Sequence, residues 1–446
     1  MPSGRSSTSD GGFTDLAAIA SLAGDPTAYD VAGIVPAHVV VPASLDELGE
    51  VMALASSAGM SVAPRGGGTQ TELGNRLEHL DLVVDMSRLD EITHNPGDLT
   101  ATAQAGVTIG ALQAKLGERG QFLALDPPLP GRATVGGTLA TGLSGPLKWQ
   151  YGSLRDTVIG MAVAQPDGRV TRSGGNVVKN VSGYDMSRLH IGGLGTLGII
   201  AETSFKLTPR PVAEATLLAT FGSARISLKA ALGIFGSRVM PLAITAFDDD
   251  AGRRMALVVP TSGHHLAVRL EGRPLTLERL VRECRAECDR RSPEAVDVLD
   301  PVIAEGLWRG LADFGYDDDT APLAGARAFV QPSRVADLVE ALTQLPDRQI
   351  APPSVVSNPA HGTVLVRWYA ADVQPSGDGL ARALQAARSV AHGVDGRLVI
   401  ERCPADVKAG FDVWDEVGDS ITVMRRLKEQ YDPGRTLNPG RFVGGI

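Results

Sequence analysis

Short apolar runs alternate with helical periodicity from residue 39 onward. Val39-Val40-Val41 reads as a buried strand that stops at Pro42. Ser44 offers a helix cap, Glu47 stands three residues later to complete a capping box, and Leu45, Leu48, Met52 and Ala55 recur at helical spacing up to Gly59. Ser61-Val62-Ala63 and Leu82-Val83-Val84-Asp85 are two further strands. The pattern is a strand–helix–strand unit with Pro64-Arg65-Gly66-Gly67-Gly68-Thr69 at the carboxyl end of its second strand. Residues 100–105 predict a strand and 108–117 a helix with Ile109, Leu112 and Leu116 on one face. Strands follow at 160–164 and 169–172, joined by Pro166-Asp167-Gly168. A strand at 199–207 ends against Pro209 and Pro211.

Those two prolines predict a boundary. Beyond them strands are expected at 216–221, 255–259, 266–270, 326–330 and 364–368, and helices at 224–235, 275–290, 335–345 and 380–391. This is an α+β arrangement, an antiparallel sheet with helices on one side. The tail from Pro404 reads as two helices and closes on Asn438-Pro439-Gly440.

Composition adds one anomaly. Of 446 residues 52 are glycine, well above the usual ~7%, and fifteen of them fall between residues 131 and 200. Apolar content is enough for large cores, so general disorder is excluded. A net charge of −9 without a Lys/Arg tract argues against nucleic acid or anionic membrane as a partner. There is no apolar run of the ~18 residues a membrane span needs. Three cysteines form no disulfide framework and fit a reducing, cytoplasmic setting. Nine of the first twelve residues are Gly, Pro, Ser or Thr, so residues 1–30 are expected to be flexible.

The glycine-rich stretches carry the chemistry. Gly66-Gly67-Gly68 after a strand is either a tight turn or a bare backbone loop that closes round a pyrophosphate, with Arg65, Thr69 and Gln70 as further donors. The run Thr134-Val135-Gly136-Gly137-Thr138-Leu139-Ala140-Thr141-Gly142-Leu143-Ser144-Gly145 makes a poor core but a good surface for a large, polar, planar ligand. Gly193-Leu194-Gly195-Thr196-Leu197-Gly198 matches G-x-G-x-x-G, yet a strand pattern follows it and Pro209 stands where a helix would run. It is a turn into a strand, not a dinucleotide fingerprint. Cys284 and Cys288 lie four apart on a helix without a histidine nearby and suggest no metal site.

Taken in order, these segments resemble the flavoproteins of the vanillyl-alcohol oxidase and p-cresol methylhydroxylase type. The likeness is carried by residues 64–69, Ala133-Thr134-Val135-Gly136-Gly137, Tyr151-Gly152-Ser153-Leu154-Arg155-Asp156, Lys179-Asn180-Val181-Ser182-Gly183-Tyr184-Asp185, Gly195-Thr196-Leu197-Gly198-Ile199-Ile200 and Asn438-Pro439-Gly440. Within that type the chain looks most like the smaller FAD-binding subunit of bacterial glycolate oxidase. The resemblance implies a two-subdomain FAD-binding fold over 31–211, an α+β cap over 212–403 and a C-terminal segment, 404–446, returning to the FAD domain. It implies FAD, with pyrophosphate on Gly66 to Gln70, flavin against Thr134 to Gly145, nucleotide near Gly198, Ile199 and Ile200, and Asn438 reaching in from the tail. No His or Cys lies in 64–76, so FAD is expected to be non-covalent. Implied partners are a larger FAD-binding catalytic subunit and an iron–sulfur subunit, through which the chain would meet a membrane if it does so.

Related D-2-hydroxyacid dehydrogenases pair histidines and an acid round a metal. Here the corresponding stretch, His361-Gly362-Thr363-Val364-Leu365-Val366-Arg367-Trp368, has one histidine, and Ile400-Glu401-Arg402-Cys403 replaces a Gly-Glu-His-Gly turn. No metal site is therefore assigned. Oxidising a 2-hydroxy acid needs a base and a cation for the carboxylate. His361 is a candidate base, Glu401 a candidate acid, and Arg367 or Arg269 a candidate clamp; each also reads as an ordinary turn, loop or strand residue. Two functions stay open: a flavin-bearing subunit of a complex, or a stand-alone dehydrogenase.

Overall fold

The structure is a computed structural model that describes residues 15–175, 184–257, 259, 261–317, 321–345, 351–370 and 376–446. The resemblance segment at 179–183 therefore lies outside the described residues.

Strands His38–Val41 and Val62–Arg65 both pair in parallel with Leu82–Asp85. Helix Leu45–Ser57 crosses over between the first two, buried along Leu48, Val51, Met52 and Ala55. Ser44 Oγ accepts from Glu47 N–H as the cap requires, while the Glu47 carboxylate accepts from Ala43 N–H, one residue earlier than a capping box demands. A second sheet is antiparallel, in the order Ile92–Asn95, Thr100–Gln104, Ile199–Lys206, Val158–Ala164, Val170–Gly174. Ile199 and Ile200 are interior strand residues here, paired with Ala164 and Val163, in keeping with a turn into a strand after Gly198.

Residues 15–30 depart from the flexible start expected of them. Leu16 is fully buried and Ser21–Leu22 pairs with Val40 and Val41 as an edge strand. The stretch 131–145 is also more regular than its glycines suggest. Thr134 Oγ1 accepts from Gly137 N–H and caps a helix, Val135–Thr141, which Gly142 ends at φ 69°.

The region beyond Pro211 is built on one eight-stranded sheet with antiparallel neighbours throughout: Ala295–Val298, Ala213–Phe221, His264–Gly272, Ala243–Asp248, Ser354–Asn358, Thr363–Trp368, Ala324–Phe329, Arg397–Arg402. The strand expected at 255–259 is not formed among the described residues there. The sheet takes Ala243–Asp248 instead, and helix Asp249–Arg254 follows it directly. Helices cover both faces, not one. Leu217, Ala246, Val364 and Val366 face the helices Ala224–Phe235, Pro274–Asp289, Val335–Thr343 and Gly377–His392. The alternate residues Leu218, Phe247 and Leu365 face helix Pro301–Asp313 through Leu307, Trp308 and Leu311. Cys284 and Cys288 belong to the first core, and burial pushes both thiols up to about 12. No helix among the described residues is long and apolar enough to cross a membrane.

Candidate functional site

The glycine loop after Val62–Arg65 and the capped helix Val135–Thr141 face each other across a cleft. Arg65, Gly66, Gly67, Gly68, Thr69 and Gln70 line one wall, and Thr134, Gly137, Thr138 and Thr141 the other; Pro127, Leu194 and Arg441 close it. Three buried polar atoms in these walls lack a partner: Arg65 Nε, Gln70 Nε2 and Thr138 Oγ1. Buried donors and acceptors are normally satisfied, so such a concentration marks a surface built for a polar ligand. Among the described residues no hydrogen bond uses the backbone N–H of Gly67, Gly68, Thr69, Gln70 or Thr71, which leaves a row of donors suited to phosphate oxygens.

The glycines have two separate reasons. A Cβ on Gly67 would stand 1.8 Å from the Arg132 carbonyl oxygen, and one on Gly66 would stand 2.1 Å from Thr134 Oγ1. The two walls approach so closely that protein packing already requires glycine there, before any ligand is considered. Gly137 differs, since its nearest neighbour is Thr134 Oγ1 at 3.1 Å.

Other expected contacts fall outside the cleft. Gly136 packs on Ala105 and Gly145 on Asp126, while Ser144 is half-buried beside it. Gly198 packs on Val163 and His190. Asn438, buried, donates Nδ2 to the Leu194 carbonyl at 2.8 Å, so it ties the tail to a turn that lines the cleft rather than lining it.

Residues 36–187 match a family described as an FAD binding domain. The chain is 26% identical over 424 residues to glycolate oxidase subunit GlcD of Bacillus subtilis, covering 91% of this chain and 89% of that protein. The solved structure of p-cresol methylhydroxylase with substrate bound has the same fold, with a TM-score of 0.75 over 97% of each chain at 13% identity. Residues 36–187 are thus an FAD-binding domain, and the chain has the fold of p-cresol methylhydroxylase. Glycolate oxidase subunit GlcE of Escherichia coli matches more strongly over less: 42% identity over 127 residues, 28% of this chain and 36% of that protein.

A second pocket lies where the glycine loop meets the eight-stranded sheet. Gly68, Thr69, Gln70, Thr71 and Glu72 form one side, and Gly315, Tyr316, Arg367, Glu401 and Arg402 the other. Arg327, Arg367 and Glu401 come from three neighbouring strands and point to the face opposite Ala326, Val366 and Ile400. Arg327 Nε donates to Glu401 Oε1 at 2.6 Å and Arg367 Nη2 to Oε2 at 2.9 Å. Tyr316 donates to Oε2 at 3.0 Å and accepts from Arg327 Nη2 at 2.7 Å. The Arg367 guanidinium lies 4.9 Å from the Tyr316 ring centre. Gly315 and Gly325 make room for it: a Cβ on either would fall 2.3 Å from its Nε or 3.0 Å from its Nη1.

Electrostatics assigns the roles. Burial works to raise the Glu401 carboxyl, but the Arg327 and Arg367 guanidiniums outweigh it and hold the group below its usual range. Glu401 is thus a fixed counter-ion and not a proton shuttle. Burial raises the Tyr316 phenol, so its O–H stays on as a donor. His361 does not line the pocket. Burial, Lys148 and Arg327 push its imidazole down to about 4, Thr363 Oγ1 holds Nδ1 at 2.9 Å, and Nε2 is buried without a partner. Arg269 lies elsewhere, paired with Glu214 at 2.7 Å. Among the described residues no three His, Cys, Asp or Glu side chains are grouped to hold a metal.

Sequence reasoning missed Arg327, Tyr316 and Arg441. Arg327 had a signal, a lone cation in the apolar strand Ala324–Phe329 beside Gly325. Tyr316 and Arg441 reach their sites through loops and left none.

Proposed function

We propose that this chain binds FAD non-covalently in the cleft between residues 65–70 and helix Val135–Thr141. In this reading it takes part in oxidising a small 2-hydroxy acid of the glycolate or D-lactate class, as the FAD-binding subunit of a glycolate oxidase-like complex. When bound, FAD supplies the hydride acceptor. The observation that carries the reading is the pocket of Arg367, Tyr316 and Glu401 set against Gly68 to Glu72. Two buried guanidiniums and one carboxylate leave a single positive charge, which suits one substrate carboxylate. Arg367 Nε, buried and unpaired, is the donor for it.

The same pocket argues for partners. Glu401 is locked between two arginines and Tyr316 keeps its proton, so neither takes the hydroxyl proton of a substrate. A larger catalytic subunit would complete the chemistry, and an iron–sulfur subunit would receive the electrons. Identity to both GlcD and GlcE supports a complex of this kind.

Anaerobic stopped-flow with glycolate or D-lactate tests this. Flavin reduction only in the presence of the partner subunits is expected. Rapid bleaching of the purified chain by itself would make it a stand-alone dehydrogenase. Flavin that stays oxidised with every 2-hydroxy acid, in any combination, removes the substrate class.

A further inference from the structure

Five consecutive backbone carbonyls, Gln70 to Gly74, accept hydrogen bonds from two buried cations of the C-terminal segment. Arg441 donates Nε to Leu73 O at 3.0 Å, and Nη2 to Thr71 O at 2.8 Å and Gln70 O at 3.4 Å. Lys408 donates Nζ to Glu72 O and, at 3.2 Å, to Gly74 O. Both residues are 6% exposed. Among the described residues neither forms an ion pair with a carboxylate. In a trans peptide the C=O and the following N–H point opposite ways. Carbonyls drawn toward the tail therefore turn the N–H groups of Thr71 and Glu72 away from it, and no hydrogen bond among the described residues uses either N–H. Gln70 and Thr71 line both the cleft and the second pocket.

We infer that Lys408 and Arg441 are positioning residues for the cofactor: they set the backbone of 70–74 and put two positive charges behind it, which the pyrophosphate of FAD neutralises. This rests on the placement of FAD in the cleft. The cost of burying two cations without carboxylates explains why a dianion is favoured there. Burial depresses the Lys408 amine and brings Arg441 down to about 10, in line with charges short of a counter-ion.

The test compares FAD with riboflavin, which carries the same ring and no phosphates, on flavin-free full-length chain by fluorescence titration. Lys408→Met is expected to weaken FAD on the order of tenfold while riboflavin changes less than about threefold. Lys408→Arg, which keeps the charge, should recover most of the FAD affinity. If Lys408→Met does not fold, Arg441→Lys carries the test, with a smaller but still FAD-selective loss. Unchanged FAD affinity, or equal losses for both ligands, overturns the inference. A wild-type chain that binds neither flavin at this cleft would instead remove the cofactor placement itself.

Discussion

Arg367 Nη2 donates to Glu401 Oε2 at 2.9 Å with both side chains almost out of solvent, 1% and 5% exposed. Glu401 also neutralises Arg327, so one carboxylate holds two guanidiniums inside the sheet. Glu401→Gln should cost about 3–5 kcal/mol, because it leaves buried charge uncompensated. Urea denaturation at neutral pH checks this. A loss under about 1 kcal/mol would mean the cluster is hydrated in solution.

The same group sets an acid limit. Its carboxyl titrates lower folded than unfolded. Below the ordinary carboxylate range the unfolded chain binds a proton that the native chain resists, so the stabilisation is full above that range and lost as pH falls through the folded value. The drop between neutral and acid pH should be shallower in Glu401→Gln.

His361 contributes in a different window. Its folded imidazole titrates at about 4, against the ordinary ~6.5. Between those values the unfolded state carries more protons, so stability falls as pH is lowered, by at most about 1.4 kcal/mol per unit. His361→Gln should flatten this stretch of the curve. An unaltered profile would show that the imidazole is hydrated.

Gly67 and Gly137 separate packing from binding. Gly67→Ala drives a Cβ into the Arg132 carbonyl, so the apoprotein itself should lose stability, seen as a lower melting temperature without flavin. Gly137→Ala needs only a small shift of Thr134 Oγ1. It should leave apo stability within about 1 kcal/mol and weaken FAD, read by titration. The reverse order would overturn the assignment of the walls.

No His or Cys is among the residues lining the cleft. Acid precipitation should therefore release the flavin into the supernatant. Yellow colour remaining with the denatured pellet would show a covalent link.

The strand–helix–strand unit, the capped helix at Ser44, the helix over 108–117 and the glycine loop were legible in sequence because each depends on neighbours a few residues apart. Ala243–Asp248 was hidden because five of its six residues are buried and it shows no alternation. The helix at Val135–Thr141 was masked by two glycines, whose low helix propensity is overridden by the Thr134 cap and by packing on Ala105.

The site divides the same way. The sequence by itself determined the glycine loops, since bare backbone at Gly66 to Gly68 and Gly137 is a local property that glycine alone provides. Only the tertiary structure decided that Arg327, Arg367 and Glu401, drawn from three strands, would share one buried cluster, and that Lys408 and Arg441 would reach back more than 300 positions to hold residues 70–74. Buried charges are tolerated only where partners converge in space, and sheet order and chain return set that convergence.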